Sequence, residues 1–213
     1  MTLNIASLKK DAAFAGHILT HPLDGFWDMK YEKRGRGYIA AFGILLMIIS
    51  GVFTGEVAGF LFNMTKFVPV NVFFEAEKVL VIFIVFVIGN WSVTTLLDGK
   101  GTFKDIALTF GYACFPIGLI QIPTALLTNL FTYREGVYVN LLYNGAWLWF
   151  FVLLFLGIMT IHQYTVFKMV LTTVVTVVAM AVIVFVYLLF FSLLTQMGTF
   201  IMAIVKEITF RMR

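Results

Sequence analysis

Charge is scarce in this sequence. Asp, Glu, Lys and Arg together make up 12% of its 213 residues, about half the share usual in a soluble domain. Cysteine is scarcer still: Cys114 stands alone inside an apolar run, which excludes an intramolecular disulfide. No H-E-x-x-H, no G-x-S-x-G and no Walker G-x-x-x-x-G-K-[ST] occurs, and no pair of aspartates lies inside an apolar run. Metalloprotease, serine hydrolase, P-loop nucleotide and aspartyl protease chemistry therefore lack their residues. The sequence reads as a non-enzyme without cofactor or metal. His17 and His21 share a helical face, but no third ligand has the spacing a metal needs. His162 reads as an interfacial loop residue. Residues 1–36 contain no apolar core, so a cleavable signal peptide is not expected.

What is present is apolar. Hydrophobic residues reach 61% and the mean hydropathy is +0.98, with long uncharged runs recurring along the whole chain. That pattern describes a multi-pass membrane protein. The expected fold is all-α: an integral membrane bundle of about five transmembrane helices, with interfacial helices at the N- and C-terminal ends. Residues 1–37 form a cytoplasmic segment, in which Phe26, Trp27 and Tyr31 beside Lys30, Lys33 and Arg34 suit a short helix in the headgroup layer. The transmembrane domain covers 38–195, with spans at about 38–60, 79–97, 106–127, 141–161 and 169–194. Residues 196–213 place Phe200, Ile201, Ile204, Val205 and Ile208 at helical spacing. This predicts an amphipathic tail helix along the interface in preference to a sixth span.

The first span carries Gly51, Gly55 and Gly59, a series that bares one helical face for close packing within the molecule. Glu56 falls near its outer end and is expected at the interface. Asn63-Met-Thr matches a glycosylation sequon, which has meaning only in a eukaryotic secretory membrane. The second span ends in Asn90, Trp91, Ser92, Thr94 and Thr95, side chains that favour protein neighbours over lipid. Asp98-Gly99-Lys100-Gly101 is a turn, and Thr102 with Asp105 makes a helix N-cap. The third span holds Gly111, Tyr112, Pro116, Gly118, Gln121 and Pro123. Each proline should kink or break the helix, and the freed carbonyls need partners, for which Tyr112 and Gln121 are candidates. This span belongs at the centre of the bundle. The Val-rich fifth belongs at its edge, apart from a Thr172, Thr173, Thr176 patch.

The net charge of +4 is an orientation signal and not a sign of nucleic-acid binding. With the N-terminus inside, nine Lys and Arg lie in inner segments and three (Lys66, Lys78, Arg134) in outer ones, as the positive-inside bias requires. Lys206, Arg211 and Arg213 would then lie outside, against it.

Gly111-Tyr-Ala-Cys-Phe-Pro116 reads G-Y-x-x-x-P in the third span, behind a two-span hairpin with a short polar inner turn. Together with His21-Pro-Leu-Asp-Gly-Phe-Trp27, and with Asn90-Trp91 followed by Leu97-Asp98-Gly99-Lys-Gly-Thr-Phe-Lys104, it resembles the Yip domain family (Ypt-interacting proteins) in its bacterial branch, over roughly residues 20–195. The resemblance implies about five spans and membrane adaptor work. Eukaryotic members associate with Rab-type GTPases, and some bacterial ones act beside ABC transport systems. This chain has no long cytoplasmic N-terminal domain, and residues 23–27 read Leu-Asp-Gly-Phe-Trp in place of D-L-x-G-P, so GTPase binding is not carried over. The expectation is a bacterial plasma membrane adaptor whose partners are lipid and another membrane complex. The rival reading is an oligomeric solute transporter or channel built on the proline-broken third span.

The orientation is open to direct measurement. A cysteine introduced in the Asp98–Lys104 turn should stay unreactive toward an impermeant reagent outside intact cells. Labelling from outside would invert the topology.

Overall fold

The structure is a computed structural model that describes residues 5–63 and 69–211. Lys66 and Arg213, used above for orientation, and the Met-Thr of the sequon lie outside the described residues, as does the end of the expected tail. Among the described residues every regular element is helical, and five helical segments are long and apolar enough to cross a bilayer. The chain runs through α1 (Ile5–Thr20), α2 (Pro22–Tyr31), α3 (Gly37–Val57), α4 (Val72–Leu96), α5 (Phe103–Ala113), α6 (Phe115–Leu127), a 3₁₀ turn (Tyr133–Glu135), α7 (Gly136–His162) and α8 (Val166–Arg211). The second and fourth spans start earlier than hydropathy suggests. Asn71 caps α4 by accepting from the Phe73 and Phe74 amides, and that cap sets the start where the first apolar window does not.

The third span, α5 with α6, is the axis of the bundle. Its apolar window is 72% buried, against at most 33% for any other span. It packs on α3, α4 and α7, and α8 packs chiefly on α4, with a smaller contact to α7. The central residue of this packing is Phe110, 1% exposed. Its ring meets Phe83 and Phe86 of α4 at 5.3 and 5.5 Å, and Phe150 of α7 edge-on at 5.6 Å. Such offset and edge contacts favour aromatic rings beyond their area alone.

The expected break falls at one proline and not at the other. Pro116 has no amide hydrogen to offer Tyr112, four residues back, and the helix interrupts at Cys114, where Ile117 N–H bonds back to the Cys114 carbonyl instead. Pro123 lies inside α6 without interrupting it. Tyr112 and Gln121 do not serve their own helix. The Tyr112 hydroxyl accepts the Arg36 amide at 3.1 Å, and Gln121 Oε1 accepts from Ser50 Oγ at 2.9 Å, so both tie α3 to the axis.

The helix–helix approach closest to contact of backbones is at Gly43 and Gly111. A methyl on Gly111 would sit 2.5 Å from the Ala40 carbonyl oxygen, and one on Gly43 would meet the Gly111 carbonyl. The Gly51, Gly55, Gly59 series faces three different neighbours within the molecule and forms no single helix-crossing stripe. Gly51 faces the Glu75 carboxylate, Gly55 faces Val70, and Gly59 lies past the end of α3 against the Thr128 carbonyl. Glu56 is exposed near that end and accepts the Val70 amide at 2.7 Å.

Both terminal expectations need adjustment. In α2, Phe26 is fully buried in the bundle with Met29, while Trp27 and Tyr31 stay exposed and touch at 4.1 Å. Only the second pair is available to headgroups. At the other end the tail is helical but is no separate element: α8 continues unbroken for 46 residues. No proline lies within it, so the helical ladder has nothing to stop it at Leu194.

Gly111→Ala and Gly43→Ala should each destabilise the detergent-solubilised protein by about 1–3 kcal/mol through overpacking. Gly145→Ala, where a methyl meets nothing within 4 Å, should leave the thermal unfolding midpoint in place. Equal midpoints for all three would remove the Gly43–Gly111 crossing from the account.

Candidate functional site

The residues singled out from sequence do not converge on one pocket. Gly111 and Tyr112 sit at the α3 crossing and Pro116 just past it; Gly51, Gly55 and Gly59 lie toward the opposite end of α3. Asp98 and Gly99, in contrast, join a polar cluster at the end of the bundle that carries α1 and α2, and Asn90 lies eight residues before Asp98, within α4. Trp91 turns outward, 44% exposed, with its ring edge-on to Phe103 at 6.0 Å.

The cluster forms because the α4–α5 turn folds over the last residue of α7. Asp98 takes the left-handed conformation at φ 55°, which Asp tolerates. Neither Gly99 nor Gly101 has positive φ, so these glycines are not present for turn geometry. They are present for room. A side chain on Gly99 would collide with His162 Nδ1, and one on Gly101 would lie 2.7 Å from Cε1 and Nε2. The His162 ring is 1% exposed. Its Nδ1 accepts the Gly101 amide at 3.2 Å, and its face stacks on Tyr164 at 5.3 Å. The interfacial loop position expected for this histidine is therefore corrected: it is the last residue of α7 and it is buried. With Nδ1 accepting, the ring is the neutral tautomer protonated on Nε2, and Nε2 has no protein partner.

Lys30 of α2 closes the same cluster. Its ammonium donates to the Lys100 carbonyl at 2.7 Å and to the Ile161 carbonyl one residue before the histidine. A cation at the C-terminal end of α7 satisfies an unpaired carbonyl and complements the helix dipole. Partial burial holds the Lys30 pKa below the ordinary lysine value, with Asp105 opposing and Lys100 reinforcing that shift. Lys100 reaches across to Gln163 Oε1 at 2.6 Å, and the Tyr164 hydroxyl donates to the Leu97 carbonyl at 3.0 Å. Burial first, and then Asp98, pushes the Tyr164 phenol above its usual value. The Thr102–Asp105 capping box starts α5 directly after the turn, as the sequence predicts.

One helical turn and more into the bundle, Asn90 Nδ2 donates to Thr176 Oγ1 at 3.3 Å, with both residues and Thr172 buried. Gly89 beside it lets Met180 of α8 approach. This polar contact joins α4 to α8, and it uses residues from both polar patches that the sequence marks. His17 and His21 stack their rings at 5.2 Å; among the described residues no group of three His, Cys, Asp or Glu gathers to hold a metal.

Sequence reasoning misses Lys30, Gly43 and Gly157 as partners of these features. Gly157 leaves space for Thr109 and Phe26 to reach α7. The signal available was small residues facing one another across helices, which needs the fold before it can be read.

The model of the Yip1 domain family matches residues 16–189, from within α1 to past the middle of α8. No curated protein and no solved structure matches the chain.

The Asn90–Thr176 contact should show coupling in a double-mutant cycle with Asn90→Leu and Thr176→Val. A coupling of about 0.5–2 kcal/mol is expected for an interhelical hydrogen bond in a membrane, read from unfolding of the purified protein. Additive effects would deny the bond any stabilising part.

Proposed function

Because this chain belongs to the Yip1 domain family, we propose that it is a membrane adaptor that holds another integral membrane complex and performs no chemistry of its own. The observation that carries this reading is α8. It is attached to the bundle chiefly at α4, with a smaller contact to α7; its buried residues are Met169, Thr172 and Thr176, and its apolar window is 6% buried. At about 1.5 Å per residue it is about 69 Å long, more than twice the ~30 Å hydrocarbon core. Beside it, Val81, Ile82 and Val85 of α4 and Met180, Val184 and Leu188 of α8 line an apolar groove of about 450 Å³. A long helix so little buried leaves a surface on which a helix of another protein can lie.

The polar groups inside the bundle support the same reading. Ser50 with Gln121 and Asn90 with Thr176 bond to one another across helices, as cross-links do. The partner class implied by the family resemblance is an ABC transport complex, in a bacterial plasma membrane with α1 and α2 on the cytoplasmic side. The basic residues Lys30, Lys33, Arg34, Lys100 and Lys104 gather at that end, as the positive-inside bias asks.

Mild solubilisation and affinity purification of the full chain should return subunits of a membrane complex at fixed stoichiometry. Val184→Trp with Leu188→Trp should abolish that co-purification without lowering the yield of the chain itself. Purified protein that alone moved a solute across liposomes would overturn the adaptor reading in favour of transport through the broken third span.

A further inference from the structure

We infer that the His162 clasp is a proton-operated latch: a proton on Nδ1 releases the Asp98–Gly101 turn from the end of α7. The geometry carries this. Nδ1 is an acceptor only while unprotonated, and its donor is the Gly101 backbone amide at 3.2 Å. Once protonated, it points one N–H at another across a contact that the missing side chains of Gly99 and Gly101 make too tight for a water. The second nitrogen offers no relief, since Nε2 has no protein partner to strengthen. A buried imidazolium therefore loses its one hydrogen bond and gains none.

The charges around the ring are mixed: Lys30 opposes a proton on it, and Asp105 favours one. On α2, Lys30 holds its ammonium on the carbonyl of the neighbouring residue Ile161. In the turn stand Lys100, engaged with Gln163, and Asp98, which acts on Tyr164. Beyond α7, Lys168 lies over the Tyr164 ring at 4.5 Å. On α5 the carboxylate of Asp105 is the nearby counter-charge, and it is committed to its own helix cap through the Thr102 amide at 2.9 Å. The cation on α2 thus opposes an imidazolium, while the Asp105 carboxylate, held in its own helix cap, offsets part of that opposition without bonding the ring. The turn joins the second and third spans, so its release frees the inner end of the α4–α5 hairpin from α7. This inference concerns regulation of the inner face and holds whether or not the adaptor reading does.

The test is hydrogen–deuterium exchange of the full chain in nanodiscs at pH 8 and pH 5, corrected for the intrinsic change in exchange rate. Peptides over residues 98–104 should exchange at least tenfold faster at pH 5, while peptides over α6 stay unchanged. His162→Gln, whose amide oxygen can accept from Gly101 without titrating, should keep the turn protected at both values. The double variant His17→Gln/His21→Gln removes the other two histidines, both exposed, and should respond like the parent. Equal protection of the parent at pH 8 and pH 5, or a response lost in the His17/His21 variant, would overturn the latch. Should His162→Gln not fold, nitrogen NMR of the His17/His21 variant decides: an Nδ1 that gains its proton with no change in the Gly101 amide sinks the proposal.

Discussion

The near contact of backbones at Gly43 and Gly111 is the constraint on which the remaining packing depends. With no side chain on either residue, α3 and α5 approach until only main-chain atoms separate them. That approach brings the Tyr112 hydroxyl to the Arg36 amide, a donor at the start of α3 that has no partner within the helix. It also sets the rotation of α5, so that Phe110 points to α4 and α7 and Thr109 toward Gly157. In a bilayer the hydrophobic effect does not drive helices together, because lipid is as apolar as a leucine face. Close van der Waals contact and satisfied hydrogen bonds remain, and both are concentrated along this crossing and the axis it belongs to.

Around that axis the molecule divides its labour by depth. The end that carries α1 and α2 is polar and cross-linked: Lys30, Lys100, Gly101, His162 and Tyr164 bind α2, the α4–α5 turn and the end of α7 into one knot. The middle is apolar with two isolated polar bridges, Ser50–Gln121 and Asn90–Thr176. The opposite end relies on caps and loop bonds, such as Gly59 N–H to Thr128 and Asn129 to the Val57 carbonyl. Burial is greatest where α5–α6 runs and least along α8, which rests on α4 and, less, on α7.

Much of this was legible in sequence, for physical reasons that differ by residue. Uncharged runs of bilayer length reveal spans because lipid imposes helix on them. Gly111, Tyr112, Pro116 and Gln121 marked the third span as central because such residues are costly against lipid. Gly99 and Gly101 stand in the turn that the Asp-Gly pair predicts, but neither has positive φ; what the sequence does not show is that they clear space for a ring more than sixty residues away. His162 looked like a loop residue because α7 extends to it only with Gln163 supplying the left-handed C-cap at φ 54°. The continuity of α8 was invisible because a change of hydrophobic pattern near Leu194 alters what the helix faces and not whether it is hydrogen-bonded.

The burial of the third span has a consequence for biogenesis. Its window is the least hydrophobic of the five, so on leaving the ribosome it is the segment that the translocon has least reason to release into lipid. Its lateral partners α3 and α4 precede it in the chain, while α7, which covers Phe110 and Thr109, follows. For the interval between them the nascent protein must shelter a half-built seam.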